Sequence, residues 1–203
     1  MVSFAKTTYG GTLPIFYREE AKRLPGGFTP VQSFTNGTFI RKGTLLEVDF
    51  DERTAAVIKV ATALSGTTTT TVNVNKGLAF NVGDTISVVG DYTATVTITA
   101  IDTTTYSDYD VLTLSGEYDG LAEGSVIIEA ASTTSDDTTT IAAAYTPNAV
   151  ALEDKVIDGL GITSIGAAGE AWVLENHLPF PVLDDWKTGN RLTNNVGIYF
   201  ITQ

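Results

Sequence analysis

Residues 61–145 are rich in threonine and nearly free of positive charge, and this run limits what the chain can fold into more than any other feature. Between residues 61 and 150 there are 11 acidic residues and one basic residue, Lys76, a net charge of −10, whereas residues 1–60 carry a net charge of +2. Threonine favours strands over helices. Like charges keep a module soluble and unassociated, so we expect one part of the chain to face solvent and another to dock on a partner.

Composition sets further limits. With 203 residues and 43% hydrophobic content, the chain can bury one core, or one core plus a small inserted module. No apolar run approaches the roughly 18 residues of a membrane-spanning helix, and the start lacks an export signal, so we expect a soluble protein made in the cytoplasm. The net charge of −12 and the absence of a basic patch predict no nucleic-acid partner. The absence of cysteine removes disulfides and thiolate metal sites.

The first 36 residues combine glycine pairs, three prolines and six aromatic residues without a helical or strand period. Only residues 17–24 could form a short helix, which Pro25 and Gly26 would end. We therefore predict an extended N-terminal arm over residues 1–36. Its aromatic side chains either contact a partner surface or cover one edge of the chain's own core.

A parent β domain is predicted from residues 37–64 together with residues 141–203. Residues 44–50 and 54–60 form a hairpin around an acidic turn. Further strands are expected at residues 149–152, 171–174 and 195–202, the last of them apolar on both faces and therefore buried.

Between these two parts, residues 65–140 predict an inserted acidic, threonine-rich module. Polar connectors at residues 65–71 and 132–140 flank a set of short alternating strands, and in one of them Val96 and Ile98 alternate with threonines that face water. The strand spacing favours a small β-barrel. The predicted strands are residues 72–75, 85–89, 94–101, 111–114 and 125–129. The fold class is thus mainly β: a small sandwich-like or β-tulip-like parent domain with an inserted barrel module and an extended arm.

Residue types that perform chemistry are sparse. His177 is the only histidine, and no nucleophile motif accompanies it, so a packing role is expected. The carboxylate pairs Asp49 with Asp51 and Asp108 with Asp110 lack the remaining ligands of a calcium loop. We therefore expect no enzyme activity, no metal and no cofactor. The sequence Asp184-Asp185-Trp186 could hold a sugar by stacking and hydrogen bonding or supply a glycosidase carboxylate, and binding is the favoured of the two.

Four segments carry a resemblance to a known family. They read IRKGTLLEVDFDERTAAVIKV at residues 40–60, VNVNKGLAFNVGDTISV at residues 72–88, PNAVALEDKVI at residues 147–157, and EAWVLENHLPFPVLDDWKTGNRLTNNVGIYFITQ at residues 170–203. Together they resemble the head fibre proteins of tailed bacteriophages, and residues 43–49 are similar to a strand of capsid-decorating (auxiliary head) proteins. Residues 1–39 match nothing in either group.

The resemblance implies a structural virion protein on the outer face of a capsid, often trimeric, that stabilises the shell or projects towards host surfaces. Its partners would be the major capsid protein, further copies of itself and host surface glycans. Within that reading, two sets of residues are candidate contacts. The capsid anchor would be Phe4, Tyr9, Phe16, Tyr17, Arg18, Lys22 and Arg23, and the trimer contact would be the apolar loop residues Phe180, Val182 and Leu183.

The alternative is a carbohydrate-binding β module or a receptor-binding protein similar to a tail fibre. Such a protein needs an exposed aromatic platform, for which Trp172, Trp186 and Tyr118 are the candidates. Trp172 lies in an apolar strand sequence, and we expect it to be buried.

Overall fold

The structure is a computed structural model that describes residues 14–135, 138–157 and 164–202. It is mainly β, with 48% of residues in strands. The helices of the described residues are two single 3-10 turns, Glu175–His177 and Asp184–Trp186, and neither is long enough to cross a membrane. The strands of this part, in chain order, are β1 (Phe16–Arg23), β2 (Thr29–Pro30), β3 (Phe39–Ile40), β4 (Leu45–Asp49), β5 (Thr54–Val57), β6 (Val60–Thr62), β7 (Thr71–Asn75), β8 (Thr85–Val88), β9 (Val96–Asp102), β10 (Tyr109–Leu114), β11 (Val126–Ser135), β12 (Thr138–Ala143), β13 (Ala149–Ala151), β14 (Lys155–Val156), β15 (Ala167–Leu174), β16 (Lys187–Thr188), β17 (Arg191–Leu192) and β18 (Asn195–Ile201).

The first sheet draws its strands from both ends of the chain. Its order is β16-β17-β18-β15-β13-β4-β5-β2, and β1 pairs with the other edge of β15. At β4, neighbouring residues point to opposite faces of this sheet, and both faces are covered. Leu45 packs in one apolar cluster with Val173 and Phe200, while Leu46 packs in another with Phe28 and Ile165. Burial on both faces also explains why the neighbouring strand β13, Ala149–Ala151, is apolar without interruption.

The second sheet takes its strands from residues 60–143. Its order is β12-β11-β8-β9-β10-β7, and β6 pairs with β11. It has its own apolar cluster, in which Ile98, Leu112 and Ile127 are almost fully buried. Strands β3 and β14 form a separate two-stranded sheet.

A buried ionic group lies where the chain passes from the first sheet to the second. The Lys59 side chain is 1% exposed, and its Nζ lies 2.7 Å from Asp84 Oδ1 and 3.6 Å from Glu129 Oε1. Gln32 donates to Glu129 Oε2 and to the carbonyl of Val57. Burial raises the pKa of Glu129, an effect that the charge of Lys59 opposes. This group joins the segment after β2 to both sheets.

Many predicted strands are confirmed within a residue or two. The predicted hairpin of residues 44–60 is β4 and β5, and the alternation predicted over residues 94–101 is β9, with Val96 and Ile98 buried and Thr99 exposed.

Four expectations were wrong. Residues 17–23 form no helix but belong to strand β1, which pairs with β15 and begins at Phe16, 1% exposed and packed in the same cluster as Val173. The polar connector predicted at residues 132–140 is instead the outer part of the β11–β12 hairpin, whose described residues pair from Ala130 with Ala143 to Ser135 with Thr138. The described strands of the second sheet form an open order that ends at β7 and β12, so the expected barrel is not closed. Strand β18 is fully buried on one face only, since Ile198 and Phe200 are buried whereas Tyr199 and Ile201 on the other face are partly exposed.

Candidate binding face of the first sheet

Three aromatic rings form a row on the outer face of the first sheet. Trp172 in β15 lies between Tyr17 in β1 and Tyr199 in β18, with a ring-centroid distance of 6.0 Å on each side. The rings of Tyr17 and Trp172 are nearly parallel, at 18°, and that of Tyr199 is tilted by 48° from Trp172. We call these three residues the aromatic row.

The alternation of side chains along β15 and β18 sets the direction of two of the three rings. In β15, Ala171 and Val173 face the core, so Trp172 between them faces outward and is 44% exposed. In β18, Ile198 and Phe200 likewise face the core, so Tyr199 between them faces outward. The parallel register then places Trp172 directly opposite Tyr199.

A bulge in β1 supplies the third ring. Phe16 pairs with Val173 and Ala21 pairs with Ala171, so residues 17–20 of β1 lie opposite the single residue Trp172. Within this bulge Arg18 has a φ of 53°, in the left-handed region that few side chains adopt. A bulge redirects side chains and increases local twist, and here it brings Tyr17 against Trp172.

An arginine stands at each end of the row. The Arg18 guanidinium carbon lies 5.2 Å from the centre of the Tyr17 ring, and that of Arg191 lies 4.1 Å from the centre of the Tyr199 ring. Both distances are within the range of a cation–π interaction. Each outer ring thus contacts both Trp172 and a guanidinium group.

A groove of about 570 Å³ is lined by two of the three rings, Trp172 and Tyr199. Its walls carry an exposed ion pair, Lys22 Nζ to Glu170 Oε2 at 2.5 Å, and the carboxylate of Glu20. Gly197 lies in the floor, where a β-carbon would come within 2.9 Å of the Gly169 carbonyl oxygen. Only glycine therefore allows β15 and β18 to approach so closely here. The groove combines aromatic surface with hydrogen-bond donors and acceptors, as a ligand-binding site does.

A second cavity, of about 500 Å³, lies between residues 35–39 and the second sheet. Its charged groups already have partners inside the protein. Asp110 accepts from Gly77 N at 2.8 Å and from Lys76 Nζ at 3.3 Å, while Lys76 also donates to the carbonyls of Thr103 and Tyr106. Asn81 Oδ1 accepts from Thr35 N. These polar groups fix the loops around the cavity.

Two of the three aromatic residues named as candidates for a sugar-binding platform are buried. Trp186 is 6% exposed and Tyr118 is 2% exposed, so neither can stack on a ligand. Trp172, which was expected to be buried, is the exposed one. The signal in the sequence was the alternation of Ala171, Trp172 and Val173, whereas nothing local to residue 17 indicates the bulge that adds Tyr17.

The predicted anchor residues separate into three groups. Phe16 lies in the core and cannot reach a partner surface. Tyr17, Arg18 and Lys22 lie at the aromatic row, and Arg23 lies at the far end of β1, 3.4 Å from Glu153. Phe4 and Tyr9 lie outside the described residues.

The apolar loop expected to form a trimer contact packs inside its own chain. Phe180 and Val182 are 8% and 7% exposed, and the partly buried Leu183 contacts the same cluster. The apolar character of these residues is therefore accounted for by packing within the chain and gives no argument for a trimer contact.

The other candidate residues have local structural contacts. His177 Nδ1 lies 2.6 Å from the carbonyl oxygen of Pro14, and Asp49 Oδ1 accepts from the backbone of Asp51 and Glu52 in the hairpin turn. Within the described residues no three histidine, aspartate or glutamate side chains converge as metal ligands.

Comparison with models of protein families, with curated proteins and with solved structures finds no match to this chain.

Proposed function

We propose that this chain is a structural virion protein, a head fibre or decoration protein on the outer face of a bacteriophage capsid. One observation carries the proposal. Three of the four segments of the resemblance, at residues 40–60, 147–157 and 170–203, are distant in sequence but meet in the first sheet, where they supply β4, β5, β13, most of β15, β16, β17 and β18. The fourth segment, residues 72–88, lies in β7 and β8 of the second sheet. Most of the resemblance therefore falls in one sheet.

The distribution of charge supports an orientation on the shell. Residues 61–150, which contain nearly all of the second sheet, carry a net charge of −10 out of −12 for the chain. The rest of the chain is almost neutral. We propose that the near-neutral first-sheet body faces the virion and that the acidic second sheet projects away from it, because like charges discourage close packing.

The second sheet is, in this proposal, an insertion into a parent sandwich-like domain, with residues 65–140 as the inserted part. Support comes from β4, β5, β13 and β15, which precede and follow it in the chain and pair with one another. The two units also share contacts, since Val60 and Ile128 pack in the same cluster as Val173.

Attachment to the capsid is assigned to the N-terminal segment that contains Phe4 and Tyr9, and assembly to a homotrimer. The trimer follows from the resemblance, because the loop around Phe180 gives no argument for it. The proposal assigns no catalytic activity and no cofactor.

Co-sedimentation with undecorated capsids tests this function. We expect the full-length protein to bind and a variant that lacks residues 1–13 to lose binding while keeping its circular dichroism spectrum. Light scattering should give about three times the chain mass of 21.5 kDa. A full-length protein that does not bind capsids would refute the virion function, and a monomer would refute the trimer.

A further inference from the structure

The aromatic row is an apolar surface that the described residues leave open to water. Trp172 has the same fractional exposure as Tyr106 in the loop between β9 and β10, 44%, but Tyr106 stacks on the single ring of Tyr109, at 4.4 Å. Trp172 is the centre of three rings on three neighbouring strands. Contiguous exposed aromatic surface bordered by polar groups is typical of an interaction site.

The site is also preorganised. Its rings lie on hydrogen-bonded strands, and each outer ring contacts both Trp172 and an arginine. A rigid site loses little conformational entropy when a ligand binds. The strained φ of Arg18 lies at this site, and backbone strain is retained mainly where function requires a particular geometry.

The chemistry of the groove selects among ligand classes. Glu20 and Glu170 would repel a phosphate backbone, which needs clustered positive charge. A stable protein interface uses some 20–30 residues on each side around an apolar core, whereas the larger apolar side chains of this groove are the rings of Trp172 and Tyr199 with Val196. A sugar unit presents apolar C–H groups on its faces and hydroxyl groups at its rim. Rings flanked by carboxylate acceptors and by ammonium and guanidinium donors match that pattern.

The shape of the row indicates a chain of sugars. The rings follow one another at two equal spacings of 6.0 Å, so successive units of an extended oligosaccharide can each contact a ring. We propose that the aromatic row and its groove bind a glycan chain, with Trp172 as the central stacking residue. This inference depends on the proposed function only for the source of the glycan, which would be a host surface.

Titration with defined hexasaccharides tests the inference directly. The probes are chitohexaose, cellohexaose and the anionic hexagalacturonate. Because the chain has two tryptophans and Trp186 is buried, we expect a binding probe to change the emission of Trp172 and protect it from acrylamide quenching. A change with hexagalacturonate alone would assign the site to acidic glycans through the arginines. The absence of binding by all three probes would overturn the proposal.

Variants measured by calorimetry assign the binding to the row. Trp172→Ala should weaken binding about tenfold or more, as removal of a central stacking residue does, and Trp172→Phe should retain part of it. The matched control Tyr106→Ala removes an equally exposed ring from the β9–β10 loop and should bind like the wild type. Circular dichroism must show that each variant is folded. Unchanged binding by Trp172→Ala would overturn the proposal.

Capsid co-sedimentation of the same variants separates the two proposals. Trp172→Ala should still bind capsids, because attachment is assigned to residues 1–13. Glycan binding without capsid binding would refute the virion function alone. Capsid binding or self-association that depends on Trp172, with no glycan binding, would assign the row to a protein partner and refute the glycan site.

Discussion

Replacement of Lys59 by methionine should be among the most destabilising single substitutions in this chain. Methionine keeps the length of the side chain but removes the charge that lies 2.7 Å from Asp84 and 3.6 Å from Glu129. The two carboxylates are only 10% and 15% exposed, so water cannot replace the ammonium group. Removal of one partner from a buried ion pair costs about 3–5 kcal/mol. For a domain of this size each kcal/mol shifts Tm by about 2–4 °C, so we expect a fall of roughly 6–20 °C.

The stability lost in Lys59→Met should depend on pH in a defined direction. Burial raises the pKa of Glu129 even with Lys59 present, so the Glu129 carboxyl group binds its proton more tightly in the folded state than in the unfolded state. Stability from this group is therefore fully present below the unfolded pKa and is lost as pH rises through the folded pKa. Without Lys59 that folded pKa rises further. Lys59→Met should thus lose most stability at neutral pH and recover part of it as the pH is lowered towards the usual range of a glutamate.

Thermal unfolding followed by circular dichroism measures both effects. The triple variant Lys59→Met, Asp84→Asn, Glu129→Gln removes all three charges at similar shape, and it should recover most of the lost stability. The matched control Lys22→Met breaks an exposed pair, with side chains 77% and 58% exposed, and should change stability by less than about 1 kcal/mol. A Lys59→Met variant that melts within about 2 °C of the wild type, or a triple variant no more stable than the single one, would refute this account.

Three further predictions concern the sheets. Gly197→Ala should cost about 1–3 kcal/mol, because its β-carbon would meet the Gly169 carbonyl, whereas Gly116→Ala, where nothing lies within 4 Å, should be neutral; equal melting temperatures would contradict this. Replacement of residues 65–140 by a short Gly-Ser linker, combined with Lys59→Met, should leave a folded β protein by circular dichroism, and an unfolded product would show that the sheets form one unit. EDTA should leave the melting temperature unchanged, since no described residues form a metal-ligand cluster, and a drop of several degrees would reveal an undetected site.

The sequence predicted those strands whose burial differs between their two faces. Strand β9 is such a case, because its alternation of Val96 and Ile98 with threonines reflects its own burial. Strand β12 has no buried face in its first three residues, so it carries no alternation and was read as a connector. Strand β1 was missed for a different reason. Its long bulge breaks the two-residue period, and its pairing depends on β15, far away in the sequence.

The candidate site was predictable only in part for the same physical reason. Alternation around Trp172 contained the information that its ring faces outward, but local hydrophobicity favoured burial. Its neighbours Tyr17 and Tyr199 come from strands that meet β15 only in the folded protein. A site assembled across strands depends on register, which local sequence patterns do not specify.

The pairing of β1 with β15 has a consequence for how the protein is made. Val173, the partner of Phe16, is synthesised only after residues 17–172. At a translation rate of about 5–20 residues per second, β1 remains unpaired, with Phe16 exposed, for roughly 10–30 s. Contacts this distant in sequence also form slowly. The nascent chain therefore passes through a period in which neighbouring polysomal copies can pair wrongly, and its yield should depend on chaperones and on the rate of translation.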